Sequence, residues 1–254
     1  MPLEQVLVLL AAAAGAGWVD AVVGGGGLLQ LPAIMMTGMP TVEAMATNKL
    51  SSVFGTTSAA IAYARSTKVD RQVALPGAGL AMVSAGLGAW AAAAISAEVL
   101  RPLVMVVLLG VAAFVTLRPA LGAVPVPHLR TDARVFAAVA TAGVGIAFYD
   151  GIVGPGTGTF LIIAFTTILG LDFVSASASA KIINIGTNLG ALVVFGLQGH
   201  VNWALGLGMA VCNVAGAQFG ARMALKRGAG FVRIVLLCVV VALVARLGWQ
   251  QFGP

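Results

Sequence analysis

The sequence predicts an all-α integral membrane protein: two tandem repeats of about four long transmembrane helices, each with a glycine-rich broken or re-entrant segment, in inverted topology. Composition is the first ground. Of 254 residues, 60% are hydrophobic and 9% charged, where a soluble domain carries roughly 25% charged residues. Mean hydropathy is +1.03. Segment length is the second ground: apolar stretches recur that can cross a hydrocarbon core about 30 Å thick, which takes roughly 20 helical residues. Self-similarity is the third, because DAVVGGGG at 20–27 returns as DGIVGPGTG at 150–158.

The first expected span, 3–23, follows Met1-Pro-Leu-Glu. A secretory leader opens with basic residues and Glu4 is the only charge there, so this segment is expected to remain as a span. It runs into the glycines at 24–27 and a short apolar stretch, 28–38. Further spans are expected at 41–64, 70–95 and 99–117. Glu43, in the first turn after Pro40, complements the helix dipole. A segment from about 118 to 133, holding Pro119, Pro125 and Pro127, reads as a linker, so that repeat one is 1–122, the linker 123–133 and repeat two 134–254. Repeat two then has spans at 134–153, 173–197, 202–224 and 230–249, with a second glycine motif and a short apolar stretch at 159–170.

With a two-residue gap the self-match continues: Lys49 falls on Lys181, Ser52 on Asn184, Thr56 on Asn188, Gly88 on Gly220 and Arg101 on Arg233. Charge tells the copies apart. Repeat one has its basic cluster at Arg65, Lys68 and Arg71, where repeat two has only His200; repeat two has its cluster one loop later, at Arg222, Lys226, Arg227 and Arg233. Lys and Arg accumulate on the cytoplasmic side, so the swapped bias predicts opposite orientations, as in many carriers. Four plain crossings per copy would make the copies parallel. A hairpin with no net crossing at each glycine stretch restores inversion, places Arg118, Arg130 and Arg134 with both clusters in the cytoplasm, and leaves both termini outside.

Irregular backbone at membrane depth is tolerated where protein or a watered cavity satisfies it. Gly24, Gly25, Gly26, Gly27, Gly154, Gly156 and Gly158 are therefore expected to line an interior site, together with Thr157. Free N–H groups at a helix start attract an anion. In the following helices Ser177, Lys181, Asn184 and Asn188 share one face, as do Lys49, Ser52 and Thr56, with Asn48 beside them. An ammonium in lipid costs about 2.5 to 3.5 kcal/mol on insertion scales, so each lysine must face a cavity or a partner. Two readings stand side by side: structural salt bridges from Lys49 and Lys181 to Asp20 and Asp150, or lysines that hold a small anion while Asp20 or Asp150 carries a coupling proton; for the aspartates, capping of a glycine-rich turn is a further structural use.

Other residues read more plainly. Trp18, Trp90, Trp203 and Trp249 lie near segment ends as interfacial anchors. Tyr149, beside Asp150, reads as packing next to a turn, with donation to the site as the alternative. Cys212 and Cys238 fall within helices as small hydrophobes and form neither a disulfide framework nor a metal site; His128 and His200 are in loops without a second histidine at ligand spacing. No metal, cofactor or nucleic-acid partner is expected: the net charge of +6 is too diffuse along the chain to suggest nucleic acid. The expected partners are a small anionic substrate and the lipid bilayer, with a homodimer left open. An aspartyl intramembrane protease needs a second Gly-x-Gly-Asp motif that the sequence lacks, and an anion channel has no signature that separates it from a carrier.

The stretch Asp20-Ala-Val-Val-Gly-Gly-Gly-Gly-Leu-Leu-Gln-Leu-Pro leading to Ala46-Thr-Asn-Lys49, repeated with variation at Asp150–Gly158 and Ala180-Lys181-Ile-Ile-Asn184, resembles the sulfite exporter TauE/SafE family over essentially the whole chain. The resemblance implies a multi-pass protein of the bacterial inner membrane. It also implies secondary transport, in either direction, of sulfite, sulfoacetate, isethionate or a related organosulfonate, and no enzymatic activity. The second motif departs from the plain glycine run by carrying Pro155, Thr157 and Thr159, whose hydroxyls stand where the first motif offers backbone N–H.

Overall fold

Backbone polar groups in so apolar a chain are satisfied within helices. The structure, a computed structural model describing residues 1–92 and 125–252, is helical with no strand among those residues. In chain order the helices are α1 (Leu3–Val23), α2 (Gly27–Met35), α3 (Thr41–Ser66), α4 (Arg71–Ala92), α5 (Asp132–Ile152, with a π turn at Thr141–Ile146), α6 (Thr157–Leu169), α7 (Phe173–Leu197) and α8 (Trp203–Phe252). A 3-10 turn, Pro127–Leu129, falls within the segment expected as a linker. Expected spans 3–23 and 173–197 coincide with α1 and α7, whereas the stretch 99–117 and Arg101 lie outside the described residues. The two spans expected at 202–224 and 230–249 form one helical run broken at Gly228, where φ is 74°. Of the two cysteines, both on α8, Cys212 is half-buried but Cys238 is exposed rather than buried.

Among the described residues, five helices are long and apolar enough to cross a membrane: α1, α4, α5, α7 and the part of α8 from Trp203 to Val232. Helix α3 has 26 residues, about 39 Å at 1.5 Å per residue, but its polar stripe lowers its hydropathy. The stripe is buried by neighbours: Thr47, Asn48, Lys49, Ser51 and Thr56 are all in the interior. Helices α2 and α6, with 9 and 13 residues, are too short to span at about 13 and 20 Å.

Both short helices double back on the helix before them. Gly24, with φ 75°, ends α1 in the left-handed conformation that glycine adopts without strain, and its N–H returns to the Asp20 carbonyl at 2.8 Å. Beyond it, a Cβ on Gly26 would strike the Ala16 carbonyl, and Leu29 reaches Gly15. In the second half the Tyr149 ring stands edge-on to Phe160 at 5.3 Å, so α6 returns along α5. Gly170, φ 68°, ends α6, and Asp172 caps α7 by accepting from the N–H groups of Val174 and Ser175.

The long helices pack across the chain: α1 on α8, α4 on α7, α3 on α8, α4 on α5 and α3 on α7. Lipid supplies little hydrophobic drive for such contacts, so close backbone approach through small residues does the work. Gly186 and Gly190 of α7 sit against the carbonyls of Ala78 and Met82; Gly216 and Gly220 of α8 sit against those of Ala14 and Trp18. At one end of the bundle the Asp70 N–H donates to Ser179 Oγ at 3.0 Å; at another the Asn202 N–H donates to Thr47 Oγ1 at 3.2 Å. Asp70 also takes a forked pair of hydrogen bonds from Arg130, at 2.9 and 3.0 Å, which raises the guanidinium above its ordinary range. Trp90 and Trp203, near helix ends, are exposed, while Trp18 turns inward to Met223.

Gly190→Leu or Gly216→Leu is expected to lower the unfolding temperature in detergent by several degrees, since overpacking costs about 1–3 kcal/mol and each kcal/mol moves it by roughly 2–4 °C. Gly79→Ala, where an added Cβ meets nothing within 4 Å, is expected to hold or raise that temperature through the alanine helix preference of about 1 kcal/mol.

Candidate functional site

The two glycine turns meet each other. A Cβ on Gly158 would overlap the backbone of Gly24, and one on Gly24 would overlap Gly158. Around this contact the turns are tied by hydroxyls: Thr159 donates to the Val23 carbonyl at 2.8 Å, Tyr63 to that of Ala21 at 3.0 Å and Tyr149 to that of Pro155 at 2.9 Å. Tyr149 is therefore a strap on the second turn as well as a packed ring.

Beside the contact lies a cavity of about 20 Å³, room for one water at roughly 10–15 Å³ each. From the first half it is lined by Asp20, Gly24, Gly27, Asn48, Lys49 and Ser52. From the second it is lined by Asp150, Gly154, Gly156, Thr157, Gly158, Asn184 and Asn188. The remaining expected site residues stand behind this wall. Gly25 and Gly26 shape the turn, with Gly26 against Ala16; Thr56 donates to Asp20 Oδ2 at 3.1 Å; Lys181 lies on the far side of Asp20.

The charges pair across the halves. Lys49 Nζ is 2.6 Å from Asp150 Oδ2, with side chains 3% and 2% exposed. Lys181 Nζ is 3.5 Å from Asp20 Oδ2 and donates to the Asp20 backbone carbonyl. The Asp20 turn is closed by its backbone carbonyl rather than its side chain, whereas the Asp150 side chain accepts within its own turn from Thr157; both carboxylates face ammonium groups. Thr157 Oγ1 is within hydrogen-bond reach of both Asp150 Oδ1 and the Gly154 carbonyl. Each half thus supplies the counter-charge for the other, which a sequence spacing cannot reveal.

The wall also presents donors. Gly27 begins α2 and Thr157 and Gly158 begin α6, so two helix N-termini, with their partial positive charge, end at the cavity, although the N–H groups of Leu28, Leu29, Gln30 and Thr157 turn back to the carbonyls of Gly25, Gly26 and Gly154. The Asn184 oxygen accepts from Thr187 at 3.0 Å and from Asn188 at 3.3 Å, which leaves its NH2 as the group without a role in those bonds. Asn48, whose Oδ1 is buried without a partner, adds an amide from the first half. Sequence reading missed the buried pair Asn213 Nδ2 to Gln30 Oε1, 2.8 Å. The signal was available in one glutamine inside LLQLP and one asparagine inside VCNVAG.

Apolar helices of spanning length around a buried, charge-lined cavity define a multi-pass helical membrane protein. The chain matches the family model described as sulfite exporter TauE/SafE over residues 9–247, and it belongs to that family. Probable membrane transporter protein ORF9 of Sinorhizobium sp is 38% identical over 239 residues, covering 94% of this chain and 90% of the relative. Probable membrane transporter protein YfcA of Escherichia coli strain K12 is 35% identical over 246 residues, covering 97% and 90%. A probable membrane transporter protein of Haemophilus influenzae is 30% identical over 241 residues, covering 93% of both chains. No solved structure matches significantly.

Removing one member of a buried ion pair leaves a bare charge, at a cost of about 3–5 kcal/mol. Lys49→Met is expected to lose stability on that scale by thermal unfolding, and Lys49→Met/Asp150→Asn to regain most of it; equal losses in single and double variants would show the pair is not coupled.

Proposed function

We propose that the protein is a secondary transporter for a small sulfur-containing anion such as sulfite, sulfoacetate, isethionate or a related organosulfonate. It works by alternating access across the bacterial inner membrane and is coupled to protons. The observation that carries the reading is the cavity between the glycine turns, where Lys49, two helix N-termini and the amides of Asn48 and Asn184 gather. A sulfonate or sulfite offers three oxygens of low basicity, which suits many N–H and hydroxyl donors around one ammonium. At about 20 Å³ the cavity is narrower than such an anion, so this is a contracted state that must widen to load.

Inverted repeats are part of the proposal. Several exchanges support them: α1 packs on α8 as α5 does on α4, and α3 on α8 as α7 does on α4. The Lys49–Asp150 and Lys181–Asp20 pairs trade halves, as do the bonds from Asp70 to Ser179 and from Asn202 to Thr47. A site on such an axis can be reached from either face when one half rocks against the other. The hydrogen-bond pairs at the bundle ends then act as the two gates. Cavity carboxylates Asp20 and Asp150 are the candidates for the coupling proton. Enzymatic use of the two as an aspartyl dyad is disfavoured, because each is taken up by its own lysine and threonine.

The test is a thermal-shift screen of purified protein against sulfite, sulfate, thiosulfate, isethionate, sulfoacetate and taurine, followed by uptake into proteoliposomes. A sulfur oxyanion is expected to stabilise the protein and to be taken up with saturation and trans-stimulation. Lys49→Ala is expected to cut uptake at least tenfold while leaving a folded protein. Uptake without trans-stimulation would make the protein a channel, and no response to any of the six would end the sulfur-anion reading.

A further inference from the structure

The two ion pairs look alike in sequence but not in structure. Lys49 lines the cavity; Lys181 does not. Lys181 is fixed from behind by the Asp20 backbone carbonyl as well as by its carboxylate, so it cannot leave Asp20 without abandoning the turn. Lys49 is held by Asp150 alone among the bonds of the described residues, and its Nζ stands beside Gly154 at the cavity edge. An anion entering the cavity therefore has one cation to reach, and Asp150 already occupies it.

Charge balance limits how such an anion can be held. With Lys49 and Asp150 paired, that side of the site is neutral. An added anion leaves one uncompensated negative charge in a buried space, which is costly unless the charge is neutralised. Thr157 supplies a place for the neutralising proton. Its single hydroxyl hydrogen can point to Asp150 Oδ1 or to the Gly154 carbonyl at 2.8 Å, but not to both. When Oδ1 is ionised the hydroxyl donates to it. When Oδ1 carries a proton, that O–H donates to Thr157 Oγ1 and the threonine hydrogen turns to Gly154. Thr56, the hydroxyl on Asp20, has no such second acceptor among the described residues.

We propose that the substrate anion replaces Asp150 on Lys49 and that the displaced Asp150 carboxylate takes one proton on Oδ1, so that one proton accompanies each monovalent anion and the loaded site stays neutral. The pair Lys181–Asp20 stays closed and holds the first glycine turn in place. Around the cavity the ionisable side chains are Asp20 of α1, Lys49 of α3 and Asp150 of α5, with Lys181 of α7 behind Asp20. The hydroxyls of Tyr63 and Tyr149 are spent on backbone carbonyls. Helices α2 and α6 carry no ionisable group, and none from α4 or the described part of α8 lines the cavity. Monoanions are thereby favoured over dianions, which would leave a net negative charge beside Asp20.

This rests on the transport reading above, and the experiment separates the two. Proteoliposomes holding a trapped pH dye are given whichever monoanion of the screen binds, under an imposed potassium diffusion potential of either sign. The wild type is expected to move one proton per anion, with a rate unaffected by the sign of the potential; a dianion is expected to be slower and potential-sensitive. Asp150→Asn is expected to lower the protons moved per anion, and Asp20→Asn to leave that ratio as in the wild type at lower rate and lower thermal stability. Thr157→Val is expected to reduce protons moved per anion, and Thr157→Ser to restore them. The wild-type ratio needs no variant, so misfolding of Asp150→Asn leaves the proposal exposed. Anion uptake without protons, or driven by the potential, overturns this coupling alone; loss of proton movement in Asp20→Asn but not Asp150→Asn overturns the assignment to Asp150; no anion uptake by the wild type overturns the transport reading itself.

Discussion

Two carboxylates and two ammonium groups lie inside a bundle whose remaining interior is apolar side chains, glycine and uncharged polar groups, and none of the four can be left without a counter-charge there. Their solution is reciprocal: Lys49 goes to Asp150 and Lys181 to Asp20. For both bonds to form at once, α3 must come to the end of α5 and α7 to the end of α1. That brings the two glycine turns against each other, and the turns fit because Gly24 and Gly158 have no side chains to keep them apart. Cavity, contact and charge pattern are three views of one constraint.

The surrounding bundle is built to permit that convergence. Its long helices touch backbone to backbone at Gly186, Gly190, Gly216 and Gly220, contacts that depend on shape more than on removal of apolar surface from water. Large apolar side chains such as Leu87, Trp90, Val211 and Phe219 are turned outward and exposed, the inverse of a water-soluble core and the arrangement a lipid solvent favours. The short α2 and α6 pack beside the turns; Gly156 and Gly170 flank α6, whereas α2 begins after Gly26 and ends at Met36.

Much of this was legible in the sequence. Apolar runs set α1 and α7 to the residue, because Gly24 and Asp172 mark their ends with the chemistry that glycine and aspartate bring to helix termini. The polar stripe on α3 and α7 announced an interior face, and thirteen of the seventeen residues read from it and from the glycine motifs line one cavity. Partner choice was not legible. Spacing tells which residues share a face but not which helix that face meets, so the salt bridge from Lys49 could be assigned to neither aspartate. Gln30 with Asn213 escaped for the same reason, being one polar residue on each of two apolar helices. Differences within the repeat were hidden too: Lys49 and Lys181 align with each other, yet only one reaches the cavity.

The forked bond from Arg130 to Asp70 has no equal at Asn202, whose side-chain oxygen is instead spent on the start of α8 at Leu205. Of the two hydrogen bonds at the bundle ends, one is therefore reinforced by opposite charges and the other, among the described residues, by neutral groups. Ionic strength acts on the first and leaves the second almost untouched. In the transport proposed above, where these two hydrogen bonds act as gates, salt in the medium that bathes Arg130 would loosen the first closure and leave the second as it is.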